Sequence, residues 1–172
     1  MRSALGRVLL VVALPLALAS CGLDSDESDA ADSLSAALGG EDLDDCIATK
    51  WVGQLGTRPL VDERVLTADL EARRPFVARI EEGTQTVSAK VADAYAAAWI
   101  ACVDFDEMAL DRKDDTDASA EELDEYADCL KEIDDDEWRQ AIADKMTGLE
   151  ESSAMVGLSR AMDDCETELG GA

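Results

Sequence analysis

Apolar residues recur at three- and four-residue steps through most of this chain, which is the spacing of one face of an α-helix. Leu43, Ile47, Trp51 and Leu55 form the first such stripe, with Cys46 on its flank and Gly56 closing it. Pro59 is placed to begin a short helix running through Leu66, because proline suits a first helical position. Thr67 then caps a further turn, which Pro75 interrupts. Residues 76–80 are the one strand-like run; with no partner strand nearby they read as an irregular or partly helical connector. Gly83 and Thr84 open a long helix carrying Val87, Val91, Tyr95, Ala98 and Cys102. It is nearly apolar around Trp99 and Ile100, so it is the expected central buried helix.

Phe105, Met108 and Leu110 make a short apolar patch, followed by an acidic loop over residues 111–117. Ser119 and Glu122 have capping-box spacing ahead of Leu123, Tyr126, Leu130 and Ile133. Asp134, Asp135 and Asp136 supply a cap and favourable negative charge for a helix with Trp138, Ala141, Ile142 and Met146, ended by Gly148. Met155, Leu158, Met162, Cys165 and Leu169 mark the last helix. The pattern predicts an all-α domain of about five or six helices over residues 41–172.

Ahead of that domain the pattern changes twice. Arg2 and Arg7 precede an unbroken apolar run of twelve residues, Val8 to Ala19, with Pro15 inside it. A spanning helix needs about 20 apolar residues, so this run fits a cleaved signal peptide over residues 1–20 better than a permanent span. Residues 23–40 are small and acidic with little to bury, and read as a disordered tether kept extended by its own charge.

Leu18, Ala19, Ser20 and Cys21 close the apolar run. They resemble the lipobox of bacterial lipoproteins: an aliphatic residue, two small residues and a cysteine. The resemblance implies a diacylglyceryl group on the Cys21 sulfur and cleavage just before it, so residues 21–40 become a lipidated tether. Its partner would be the lipid bilayer, on the outer face of the cytoplasmic membrane. One acyl chain binds membranes only marginally, whereas two, at about 0.8 kcal/mol per buried methylene, hold firmly. Ala17, Leu18 and Ala19 also make an ordinary signal-peptidase site, whose use would release a soluble secreted protein.

Removing residues 1–20 takes away two of the 15 basic residues and none of the 40 acidic ones, moving the net charge from −25 to −27. Such a surface repels phosphate backbones and anionic headgroups, so nucleic acid is excluded as a partner. Of five cysteines, Cys21 accounts for the odd one. Cys46, Cys102, Cys129 and Cys165 then form an even set in a compartment that permits disulfides, with three possible connectivities.

The same cysteines suggest an internal repeat. Cys46 and Cys129 each follow an aspartate and precede an apolar residue early or midway in a helix, while Cys102 and Cys165 lie near the ends of long helices. Residues 61–71 and 138–150 occupy matching places between them. The domain thus reads as two unequal copies of one helical unit. It is similar to small secreted helical domains with repeated cysteine-bearing helices, associated with high-GC Gram-positive bacteria. That likeness implies a fold and no activity. On the repeat reading, Cys46 joins Cys102 and Cys129 joins Cys165.

Chemistry is thinly represented. There is no histidine, no G-x-S-x-G elbow and no Gly-rich phosphate loop, which removes histidine-dependent triads and nucleotide-binding signatures. Asp111, Asp115, Asp117, Ser119 and Glu122 fall at EF-hand spacing, but Lys113 and Thr116 stand where a ligand and the turn glycine belong. A solvated loop leading into a capping box is the simpler reading. Trp51, Trp99 and Trp138 suit an aromatic cage for a cation, yet their places on helical stripes make them core anchors. No cofactor and no catalytic residue is expected. The expectation is a membrane-anchored, non-catalytic interaction or structural module that meets an envelope protein. The alternative is a binding protein for a metal cation or small cationic ligand.

Overall fold

The computed structural model describes residues 22–112, 118–149 and 151–169. Among them the fold is all-α, with nine helices and no strands. The helices are α1 (Ser25–Leu38), α2 (Asp42–Leu55), α3 (Thr57–Asp62), α4 (Arg74–Glu81), α5 (Ala89–Ile100), α6 (Phe105–Asp111), α7 (Ala120–Glu132), α8 (Asp135–Met146) and α9 (Ser153–Leu169). The count exceeds the expected five or six because short or alanine-rich helices, α1, α4 and α6, are added to those that the apolar stripes and Pro59 mark.

The largest departure from expectation is α1, which lies inside the stretch read as a disordered tether. Asp24 and Glu27 form a reciprocal capping box that starts it. Ala30, Leu34 and Leu38 then fall at four-residue steps, and Ala30, Ala31 and Leu34 are essentially inaccessible to solvent. Alanine is the best helix former, and its small side chain lets α1 lie close against α2. The Ser35 hydroxyl donates to the Asp45 carboxylate across that contact. Ser33 Oγ accepts from the Ala72 N–H at 2.8 Å, tying the α3–α4 connection to α1. Residues 25–38 therefore belong to the folded body.

The α2 stripe buries Ile47, Trp51 and Val52, and Trp51 Nε1 donates to the Val91 carbonyl of α5 at 3.1 Å. Leu43, expected on this stripe, is 36% exposed at the start of the helix. Gly56, at φ +70°, makes the tight passage into α3. Pro59 sits within the first turn of α3, which ends at Asp62 and not at Leu66. Val65 and Leu66 instead fold back as a buried turn, both N–H groups donating to the Leu60 carbonyl. Pro75 does not interrupt a helix; it lies in the first turn of α4, so residues 76–80 are helical. The Thr84 and Gln85 N–H groups donate to Arg79 O and close α4, leaving α5 to begin after Ser88.

Cys46 is bonded to Cys102 and Cys129 to Cys165. Each bridge serves its own apolar cluster. Residues of α1 to α5, with Met146 of α8, build the first around Trp51, Leu34 and Leu60; residues of α6 to α9 build the second around Tyr126, Leu130 and Trp138. The seam is the packing of α5 on α8. Trp99 touches both clusters and stacks on Trp138 with ring centroids 5.3 Å apart. At the surface of the seam, Arg139 makes a bidentate pair with Asp93 at 2.8 and 2.9 Å. The halves differ between their bridges: α3 and α4 lie against α1, whereas α8 packs on α5 and α9.

The Ser119–Glu122 capping box forms as its spacing implies, with the Ser119 N–H donating to Glu122 Oε2 at 2.6 Å. That backbone N–H, and secondarily the Ser119 hydroxyl, hold the Glu122 carboxyl below its ordinary value. A carboxyl depressed in the folded state stabilises above its unfolded pKa, and loses that contribution as pH falls through the folded value. Glu122→Ala should therefore lower the thermal midpoint at neutral pH, and the difference from the parent should shrink on acidification below the ordinary carboxylate range. A gap that stays constant down that range would contradict the contact.

Candidate functional site

A broad concavity lies where the start of α2, the end of α5 and α6 converge, a groove of about 660 Å³. The Cys46–Cys102 bridge holds these segments together, and Cys102 itself lines the groove. Trp99, Leu43, Val103 and Met108 give it an apolar floor. Glu41, Asp42, Asp104, Glu107 and Asp111 stand around it. Some of this charge is used by the fold. Asp104 caps α6, accepting from the N–H groups of Asp106 and Glu107 at 2.9 and 3.3 Å, and Asp42 faces the positive end of α2. Asp42, Glu107 and Asp111 form no ion pair among the described residues.

Among the described residues, two cations beside α6 are engaged by other acids. Arg112 pairs with Glu166. Lys131 lies 2.6 Å from Asp106 and 3.2 Å from Asp128; Asp106 first, then Asp128, raises its pKa above the ordinary lysine value. The groove thus presents uncompensated negative charge above an apolar surface.

A smaller cavity of about 240 Å³ lies in the α5–α8 seam. Tyr95, Trp99 and Trp138 line it together with Ile142, Met146 and Lys145. Trp138 is 4% exposed and its Nε1 has no hydrogen-bond partner among the described residues. Trp99 is common to both concavities. The three tryptophans do not converge on one cage: Trp51 sits in the first cluster, edge-on to Tyr95 at 4.9 Å, while Trp99 and Trp138 meet Phe105 in the second.

Asp111 ends α6 at the groove and Glu122 is occupied by its capping box, while Asp115 and Asp117 lie outside the described residues. Among the described residues no group of histidine, cysteine, aspartate or glutamate could hold a metal ion. Cys21 and the signal peptide also lie outside the described residues. No described helix is long and apolar enough to cross a membrane.

Sequence reasoning missed the groove altogether. Its residues come from segments 41–43, 99–104 and 107–111, each ordinary alone in a chain with 40 acidic residues. The signal available was Leu43, an apolar residue one step before a run of aspartates at a helix start. No protein-family model, no curated protein and no solved structure matches the chain.

Proposed function

We propose that this chain is an extracytoplasmic lipoprotein, anchored through acylated Cys21 to the outer face of the cytoplasmic membrane. Its folded part is a non-catalytic interaction or structural module of the cell envelope. The observation that carries the reading is the groove: broad, open, half apolar, and without a nucleophile and base placed together. Such a surface suits contact with a partner better than chemistry on a substrate. The cysteine pattern supports the location, since four cysteines engaged in bridges fit an oxidising compartment and leave Cys21 for the anchor.

A second reading, a binding protein for a metal cation or small cationic ligand, draws on the same carboxylates. An experiment in the producing cell separates contact from decoration. A photo-crosslinking residue in place of Leu43 should give one discrete adduct with an envelope protein, and the same residue in place of Lys50, exposed elsewhere on α2, should not. Equal adducts from both positions, or none from Leu43, would count against a contact surface here.

A further inference from the structure

We propose that the groove between α2 and α6 seats a basic amphipathic peptide segment of another protein. Its apolar side chains lie over Trp99, Leu43 and Met108, and its lysines or arginines meet Asp42, Glu107 and Asp111. This rests on the reading of the folded part as an interaction module, and names the chemistry of the partner.

The floor argues for an apolar contact. Leu43 is 36% exposed, and Trp99 and Met108, which line the groove with it, are only half-buried. The volume, about 660 Å³, is that of a site for a compact ligand or a few side chains. The rim argues for positive charge: three of its carboxylates lack an ion pair among the described residues, and the adjacent Arg112 and Lys131 are held by other acids. Low-dielectric walls beside a row of like charges focus the potential on whatever enters.

Other occupants fit less of this. A second copy of a chain with net charge −25 would bring like charge to the rim. An anionic headgroup or nucleic acid is repelled for the same reason. A metal ion finds no ligand group among the described residues. A polyamine would neutralise the carboxylates and leave the apolar floor wet. A peptide that alternates cationic and apolar residues satisfies both surfaces.

The test uses the purified full-length protein in neutral-lipid nanodiscs, with empty nanodiscs as the blank. Calorimetry with a short synthetic peptide of lysines and leucines should show saturable binding that weakens as salt is raised. Asp42→Asn combined with Glu107→Gln should weaken it about tenfold, and Asp32→Asn combined with Asp69→Asn, equal in charge but away from the groove, less than about twofold. Trp99→Phe should abolish the fluorescence change that accompanies binding. A peptide with glutamates for lysines should not bind, and spermidine should bind at least about tenfold more weakly than the lysine–leucine peptide. Equal weakening by the two double variants would reduce the effect to net charge, and spermidine binding as tightly as the peptide would make this a small-cation site. Either result, or no binding, overturns the proposal. The acylation of Cys21 is scored separately by mass, so a failed titration on an acylated protein removes the partner chemistry and leaves the anchored module standing.

Discussion

Reduction of both disulfides should unfold this protein, or lower its thermal midpoint by tens of degrees, in neutral buffer. Cys46–Cys102 spans a separation of 56 residues and Cys129–Cys165 one of 36. By the chain-entropy account, loops of that length restrict the unfolded state by about 4 kcal/mol each. A folded domain is held by only about 5–15 kcal/mol in all, so losing both contributions removes most of the margin. Self-repulsion in a body this acidic makes the remainder smaller still. The bridges sit one to each half, so a half whose bridge is opened has no second bridge of its own to hold it. Circular-dichroism melts with and without a strong phosphine reductant check this, and coincident curves would show that the bridges do not support the fold. Cys46→Ser with Cys102→Ser should cost slightly more than the corresponding change at Cys129 and Cys165, because its loop is longer.

Leu34→Ala should destabilise the oxidised protein by about 2–5 kcal/mol, the range for a large apolar side chain cut from a packed site. Leu34 is fully buried where α1 meets α2, beside Ala30, Ala31, Ile47 and Ala48. Alanine there leaves a void next to backbone that α1 and α2 hold at close approach, so little can collapse into it. A tether would respond differently: a leucine to alanine change in a disordered acidic segment leaves stability where it was. Denaturant titration at constant slope separates the outcomes, and a shift under about 0.5 kcal/mol would return residues 25–38 to the tether.

The contrast between α1 and α7 shows what the chain discloses of its own fold. In α7 the stripe Leu123, Tyr126, Leu130 is made of large side chains, and Ser119 and Glu122 announce its start, so helix, cap and buried face are all readable. In α1 the stripe is alanine, alanine and leucine among aspartates and serines. Small residues earn their burial from close packing on α2, and that partner is not local information. Pro75 misled for a related reason: it lies in the first turn of α4, a place that sequence alone does not distinguish from an interruption, whereas Pro59 lies in the first turn of α3 as its position implied. The turn between α3 and α4 depends on Arg64 and Leu70 at positive φ, which no glycine or asparagine signals. The groove was illegible on stronger grounds, because the Cys46–Cys102 bridge and the α5–α6 turn create it from pieces far apart in the chain. The bridge pairing, by contrast, follows the repeat reading, since each bond closes within its own half.

One intact-mass measurement on protein purified from its membrane reads processing, acylation and oxidation together. It should give a polypeptide beginning at Cys21, heavier by a diacylglyceryl group and lighter by four hydrogens, two for each of the two bridges. A chain cut after Ala19, or one beginning at Cys21 with a free thiol and no lipid, would contradict it.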